Sequence, residues 1–197
     1  MEINFVRKEN ISYLVIDNFF SPEELVEVTM EAKEIRRFAL SPKDTDTASD
    51  GSGGFLKTGT GIFIDDLYQA NRSASGILNY FQKIFSLDFY KETVKFDVIF
   101  NFLKIASHDR TLVNYYNQGE VYSAHVDNAC LTAICFLRDG EFTGGTFCFP
   151  QQNVELESRH NRVVIFPSCA LHKTTPMVGD GTRISVAKLI SFKGIDH

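Results

Sequence analysis

The segment YNQGEVYSAHVD, from Tyr116 to Asp127, contains the motif from which both the fold and the site of this chain are inferred. Successive side chains of a β-strand point to opposite faces, so His125 and Asp127 would face the same side. One strand can therefore offer an imidazole and a carboxylate to a single metal ion. With His172 from a distant strand, the set becomes two histidines and one carboxylate, which favours non-haem Fe(II) and leaves coordination positions open.

The same residues also have a simpler interpretation. His125 and Asp127 can form a hydrogen-bonded pair on a strand face, and His172 can be an ordinary loop histidine. A His-x-Asp motif alone does not separate these interpretations, because it also occurs by chance. The surrounding sequence is what favours metal binding.

Short β-type runs separated by turn sequences extend from this motif through the second half of the chain. Breaks such as Arg138-Asp-Gly140 and Gly179-Asp-Gly-Thr182 contain the residues that favour turns. Many short strands at this spacing predict a sandwich or a barrel. The predicted strands are residues 93–106, 111–117, 121–126, 130–138, 145–150, 162–166 and 182–192.

The first 90 residues carry helix signals instead. After a short predicted strand at Tyr13–Asp17, Ser21 is placed as an N-cap, with Pro22 and Glu24 completing a helix start that should run to about Arg37. A second helix is predicted from about Asp66 to Ser86. We therefore expect a mainly β fold in one domain, residues 1–197, with N-terminal helices (about 1–90) that buttress a jelly-roll core (about 91–192).

Residues 41–54, SPKDTDTASDGSGG, form a predicted loop with no apolar anchor. Such a segment is either a plain solvent-exposed loop or a lid over a site, and both interpretations stay open.

Composition narrows the classes of function. The net charge of −5 and the isoelectric point near 5.5 argue against a protein that binds nucleic acid by neutralising phosphates. None of the four cysteines forms a C-x-x-C pair, so free thiols are expected. The chain shows neither a signal peptide nor an apolar run that could span a bilayer, which predicts an intracellular protein without a membrane segment. Nothing in the sequence indicates its oligomeric state.

The Tyr116–Asp127 segment, with its Y-x-x-G-x-x-Y-x-x-H-x-D pattern, resembles the prolyl 4-hydroxylase branch of the 2-oxoglutarate/Fe(II)-dependent oxygenases. Later segments are similar to that family in the same order, and two earlier segments extend the resemblance towards the N-terminus. The similar segments are 15–24, 57–63, 131–137, 144–149, 163–168 and 181–185.

The resemblance implies a double-stranded β-helix with the iron inside. His125, Asp127 and His172 would bind Fe(II), and no further catalytic residue is implied beyond this metal centre. Arg183 would pair with the distal carboxylate of the co-substrate 2-oxoglutarate, for which a bidentate guanidinium is suited. The alternative role for Arg183 is a surface salt bridge.

Three further residues are weaker candidates for the 2-oxoglutarate pocket. Tyr116 would donate a phenolic hydrogen bond to the same carboxylate, and its alternative is a core tyrosine with a satisfied hydroxyl. Thr132 and Ser185 would supply polar contacts, or else occupy ordinary strand positions. Tyr122 would line the substrate entrance or be a packed aromatic.

The implied activity is hydroxylation of an unactivated C–H bond, coupled to decarboxylation of 2-oxoglutarate to succinate and CO₂, with ascorbate as a reductant. A prolyl residue of a peptide or protein is the expected substrate. A small metabolite, a nucleic-acid alkyl group, or a non-catalytic jelly-roll binding module are the alternatives. Departures from the family pattern, Lys57 for arginine and Gly59 for serine, lie on the family's substrate side and concern the substrate more than the chemistry.

Overall fold

Two facing antiparallel sheets form the core of the protein. The structure is a computed structural model that describes residues 1–45 and 47–192. The strands are β1 (Glu2–Lys8), β2 (Ile11–Asp17), β3 (Thr60–Phe63), β4 (His108–Tyr116), β5 (Tyr122–His125), β6 (Leu131–Asp139), β7 (Thr143–Gly144), β8 (Phe147–Phe149), β9 (Val154–Leu156), β10 (Arg162–Pro167), β11 (His172–Thr174), β12 (Met177–Val178) and β13 (Thr182–Ser191).

The strand order is that of a jelly roll. The larger sheet runs β1-β2-β10-β6-β13-β4-β3, and the smaller one runs β5-β11-β8-β9. All of the pairs in both sheets are antiparallel, and a short β7–β12 pair lies beside them. This arrangement confirms the predicted mainly β, double-stranded β-helix fold.

Alternation along the central strands gives the larger sheet two buried faces. On β6, Ala133 and Cys135 join a cluster with the helices, whereas Ile134 and Phe136 point into the space between the sheets. Both faces are apolar because both are covered, and each large side chain buried in this way contributes about 1.5–3 kcal/mol. The polar side chains that also point between the sheets are therefore exceptional, and they mark the site.

Helices cover the outer face of the larger sheet. They are α1 (Pro22–Ile35), α2 (Ile64–Leu67), α3 (Gly76–Tyr80), α4 (Leu87–Phe96) and α5 (Phe102–Ile105), with short 3₁₀ turns at Arg36–Phe38, Arg72–Ala74, Phe81–Phe85, Val98–Asn101 and Pro150–Gln152. The α1 prediction is confirmed, because Ser21 and Glu24 form a capping box and Pro22 begins the helix. None of the helices described within residues 1–45 and 47–192 combines the length and apolar composition needed to cross a bilayer.

The second predicted helix, from Asp66 to Ser86, is wrong as a continuous element. It is divided into short helices because Asn71 and Ser75 cap new starts: their side chains accept hydrogen bonds from the backbone N–H groups of Ser73 and Leu78. Glu31 of α1 fixes the second break by accepting from the Ser75 hydroxyl. The helical spacing of apolar residues survives the breaks, which is why the sequence pattern did not show them.

The predicted strand at 93–106 is also wrong, because this segment is helical. Asp97 ends α4 and caps the next turn by accepting from the Ile99 N–H at 3.1 Å. Phe100 and Leu103 then pack into the core beneath the sheet. A dense apolar run fits either structure by periodicity, and here tertiary packing selects the helix. In the second half of the chain, the strands thus begin at His108, and they join β1, β2 and β3 of the N-terminal part in the larger sheet.

The strand predicted at Tyr13–Asp17 is present as β2, and the six others predicted in the second half of the chain are present as β4, β5, β6, β8, β10 and β13. The edge strands β1 and β3 and the short strands β7, β9, β11 and β12 were not predicted. Between α1 and β3, Lys57 forms a bridge with Tyr122 and thereby ties the end of the 41–54 loop to β5. Asp46 of that loop lies outside the described residues.

Candidate metal centre

Three side chains converge at one end of the space between the sheets. His125 at the end of β5 is the register partner of His172 at the start of β11, so the pairing itself places the two imidazoles together. Asp127 follows β5, and its backbone N–H donates to the Ser168 carbonyl at 2.9 Å. One potential ligand atom from each of the three residues lies within 4.8 Å of the other two. The three predicted ligands are therefore brought together.

Backbone carbonyls orient both imidazoles. Nδ1 of His125 lies 2.8 Å from the Ser123 carbonyl, and Nδ1 of His172 lies 2.9 Å from the Ala170 carbonyl. Because a carbonyl only accepts, each Nδ1 carries the proton and each Nε2 keeps a free lone pair. Metal-binding histidines are commonly fixed by such a hydrogen bond at the other ring nitrogen.

The distances separate a metal site from a hydrogen-bonded pair. Nε2 of His125 is 3.6 Å from one oxygen of Asp127, and Nε2 of His172 is 3.6 Å from the other. Both distances are too long for hydrogen bonds. They suit donors that surround one ion at about 2.1 Å from each. The alternative of a hydrogen-bonded His125–Asp127 pair is wrong, and so is that of a loop position for His172, which begins a strand and is 2% exposed.

His125 is held in the neutral form that a metal ligand requires. Burial, followed by the neighbouring His172, lowers its pKa to about 4 although Asp127 acts in the opposite direction. The Tyr122 ring stacks on the His125 imidazole at 3.6 Å between centroids. Tyr122 thus covers one side of the cluster and also lines the adjoining cavity.

Thr132, which was predicted to contact 2-oxoglutarate, lies behind Asp127 and is not among the residues that line the adjoining cavity. Its hydroxyl donates to Oδ2 of Asp127 at 2.7 Å and lies 2.8 Å from the Ser168 hydroxyl. Thr132 is fully buried, so its hydroxyl interacts with these two groups and not with bulk water. The residue orients the carboxylate that faces the histidines.

Arg183, on β13, is a fully buried cation. Nη1 donates to the Gly145 carbonyl at 2.8 Å, Nη2 donates to the Thr174 hydroxyl at 3.1 Å, and Nε has no hydrogen-bond partner among the described residues. Its guanidinium lies 4.1 Å from the centre of the Tyr116 ring.

Within the part of the chain that the structure describes, no carboxylate comes within 4.0 Å of the Arg183 guanidinium. A surface salt bridge, the alternative role for this residue, is therefore wrong. Burial lowers the pKa of Arg183 from its ordinary value, which expresses the cost of an uncompensated buried charge. An anionic ligand would remove that cost.

A cavity is lined by all three members of the ligand cluster, and Arg183 lies behind two other lining residues, Tyr116 and Thr174, which its guanidinium contacts. Tyr116 and Ser185 line it, as their predicted roles require, and burial raises the pKa of the Tyr116 phenol, which therefore stays protonated and can donate. The remaining lining residues are mostly apolar; they are Leu112, Asn114, Tyr122, Ile134, Phe136, Phe147, Thr174, Ala187 and Leu189.

Several residues of this site were not predicted from the sequence. Thr174 and the Gly145 carbonyl hold Arg183, Ser168 supports Asp127, and Asn114 lines the cavity. Asn114 could have been recognised in the sequence as a polar residue on the inward face of the predicted strand, between Leu112 and Tyr116.

The Gly59 departure from the family pattern has a steric cause. A Cβ atom at Gly59 would lie 2.3 Å from the Tyr115 carbonyl oxygen and 2.8 Å from the Tyr116 ring. Serine therefore does not fit at this position.

Comparison with known proteins agrees with this geometry. Residues 111–191 match the family model of the 2OG-Fe(II) oxygenase superfamily. A prolyl-4-hydroxylase from Pseudomonas putida has a similar structure, with a TM-score of 0.61 and 14% identity over 94% of this chain and 95% of that one. No curated protein gives a significant sequence match.

Two further structures share the fold. One is a prolyl hydroxylase from Trichoplax adhaerens in complex with a hypoxia-inducible factor peptide fragment, with a TM-score of 0.66 and 12% identity over 91% of this chain and 83% of that one. The other is a viral collagen prolyl hydroxylase from Paramecium bursaria Chlorella virus-1 in complex with 2-oxoglutarate, with a TM-score of 0.52 and 15% identity over 92% and 96%.

The family match spans the segment that carries all three candidate ligands and Arg183. The resemblance to the 2-oxoglutarate/Fe(II)-dependent oxygenases is confirmed, and the fold is the one found in prolyl 4-hydroxylases.

Proposed function

We propose that this chain is a 2-oxoglutarate-dependent Fe(II) hydroxylase in which His125, Asp127 and His172 bind the metal. The observation that carries the proposal is the convergence of these three side chains beside a buried cation that has no carboxylate partner in the described chain. Two imidazoles and one carboxylate form the facial ligand set preferred by non-haem Fe(II). Three protein ligands leave room for two oxygens of a co-substrate and for O₂.

Arg183 binds the distal carboxylate of 2-oxoglutarate in this proposal. The free Nε–H and the adjacent Tyr116 phenol supply donors, and the apolar cavity wall strengthens their interaction with a charged group by excluding water. Ser185, on the same side of β13, contacts the co-substrate between its two ends. Thr132 keeps Asp127 aimed at the metal.

When bound, the iron supplies the oxidising chemistry, in which decarboxylation of 2-oxoglutarate to succinate and CO₂ is coupled to insertion of one oxygen atom into a C–H bond. The chain's own residues position the reactants and exclude water from them. Tyr122 and Phe147 lie against the histidines and limit water access from two sides. Ascorbate would serve to return the iron to the Fe(II) state.

A prolyl residue in a peptide is one substrate class that the fold supports, because a solved relative carries a peptide. We also propose that the helices and the jelly roll work as one domain, since α1 and the outer face of the larger sheet share one apolar cluster.

Succinate release tests the proposal. Protein supplied with Fe(II), ascorbate, O₂ and 2-oxoglutarate should release succinate, even without a substrate, at a slow uncoupled rate that disappears when the metal is chelated. Succinate release at the same rate before and after chelation, or no release from protein shown to bind iron, would contradict the proposed function.

Thr132→Val should weaken metal binding by about 10- to 100-fold, because Asp127 loses the hydroxyl that orients it. Titration with Fe(II) under anaerobic conditions, followed by calorimetry, measures this change. Thr111→Val is the matched control: Thr111 is equally buried, but its hydroxyl has no hydrogen-bond partner among the described residues. Equal metal affinity in the Thr132 variant and in the control would show that the hydroxyl plays no part.

A further inference from the structure

Lys57 is a second buried cation beside the cavity. It is 2% exposed, and its Nζ donates to Oδ1 of Asn114 at 2.8 Å and to the Thr47 hydroxyl at 3.4 Å. The ammonium also lies 5.9 Å from the centre of the Tyr122 ring. Asn114 and Tyr122 both line the cavity, so the Lys57 ammonium lies directly behind the cavity wall, where it contacts one residue of β4 and one of β5.

Among residues 1–45 and 47–192, no carboxylate lies within 4.0 Å of Lys57. Its neighbours are neutral oxygens, which leave most of the cost of burying a charge uncompensated. Lys188 shows the contrast. It is also fully buried, on the helix side of β13, but its Nζ forms an ion pair with Asp109.

In the proposed complex, the charges of the metal, its ligands, Arg183 and 2-oxoglutarate cancel, and the charge of Lys57 is left without a counter-charge. Fe(II) and Arg183 are balanced by Asp127 and the two carboxylates of 2-oxoglutarate. No remaining anion of the centre is available to Lys57. Since the described residues offer no carboxylate to Lys57, the molecule that is oxidised is the source of a further anion that we consider.

We infer that Lys57 and Asn114 bind a free carboxylate of the primary substrate, so that the substrate is a small acid or a chain end and not an internal residue of a peptide. This inference rests on the proposed function. Because the ammonium occupies the Asn114 oxygen, the amide NH₂ group of Asn114 is left to donate to the same carboxylate. The apolar wall formed by Leu112, Ile134 and Leu189 would contact the aliphatic part of the molecule.

The test uses matched acids and amides. Proline, valine and leucine, each free and N-acetylated, are supplied as carboxylates and as carboxamides. Binding is measured by calorimetry on the Mn(II)- and 2-oxoglutarate-loaded protein without O₂, and hydroxylated product is measured by mass spectrometry with Fe(II). At least one acid should bind about 10- to 100-fold more tightly than its amide in the natural protein. Lys57→Met should remove this preference, and Lys57→Arg should restore part of it.

Stability gives a readout that does not depend on activity. Lys57→Met should not lower the melting temperature, because it removes a buried charge that lacks an anion, whereas Lys188→Met should lower it by removing the buried ion-pair partner of Asp109, which keeps only its more exposed contact with Arg72. Asn114→Asp provides a second variant, since an internal carboxylate paired with Lys57 should stabilise the fold and abolish the preference for acids. Lys43→Met, at an exposed lysine earlier in the same loop, should change neither property.

The outcomes are distinct. Absence of 2-oxoglutarate binding and turnover rejects the proposed function itself. If 2-oxoglutarate binds but acids and amides bind equally, or no acid binds, only the role of Lys57 is rejected. A fall in melting temperature in Lys57→Met as large as that in Lys188→Met would mean that Lys57 is structural.

Discussion

His125→Ala and Asp127→Ala are each expected to abolish 2-oxoglutarate turnover. Either change removes one of the three proposed ligands, and the remaining two would not fix an ion in a facial geometry. Loss of a ligand should weaken metal binding by more than about 100-fold, since even loss of a supporting contact costs 10- to 100-fold. Anaerobic Fe(II) titration and succinate release measure the two effects.

Val126→Thr is the matched control for this pair. Val126 stands between the two ligands, is 54% exposed and keeps its β-branched shape in the variant. Metal binding and turnover should stay within about twofold of the natural protein. Unchanged turnover in either alanine variant would remove the metal assignment.

Arg183→Met should raise the 2-oxoglutarate concentration needed for half-maximal turnover by roughly 100-fold or more. Truncating one partner of a buried, hydrogen-bonded charge pair costs about 2–5 kcal/mol, and each 1.4 kcal/mol is tenfold in affinity. Iron binding should be largely retained, because Arg183 contacts Gly145 and Thr174 and none of the three ligands. Calorimetry with 2-oxoglutarate and with metal separates the two effects.

Arg138→Met controls for loss of a neighbouring arginine. Arg138 is the register partner of Arg183 on β6, but its guanidinium lies over the Phe142 ring, whereas that of Arg183 contacts the cavity-lining residues Tyr116 and Thr174. The control should bind 2-oxoglutarate normally. Normal affinity for 2-oxoglutarate in Arg183→Met as well would reject the anchor role. A lowered melting temperature would show that a variant has lost iron binding because it no longer folds.

The three residues of the candidate metal centre could be named from the sequence, although only part of their geometry follows from local rules. Two of the ligands are a strand repeat apart, and the third occupies a position given by the family resemblance. The register that sets His125 against His172 depends on how β5 and β11 pair, which no local pattern specifies. Thr132 was assigned to the wrong group for the same reason, since its distance to Asp127 arises from the turn between β5 and β6.

The failures elsewhere also have physical causes. The run 93–106 is apolar enough for either a strand or a helix, and contacts with distant elements select the helix. Lys57 lies within a segment that was noted only as a departure from a pattern. Its significance depends on burial and on the lack of a nearby carboxylate in the described chain, neither of which is visible in the sequence.

The most direct test of the central claim is a calorimetric titration of 2-oxoglutarate, without O₂, into the natural protein with and without Fe(II). If His125, Asp127 and His172 hold a metal that chelates one end of 2-oxoglutarate while Arg183 binds the other, both contacts contribute to affinity. We therefore predict tight binding at one site per chain with Fe(II), and binding at least about tenfold weaker without it. Equal affinity in the two titrations, or no binding to iron-loaded protein, would contradict this account.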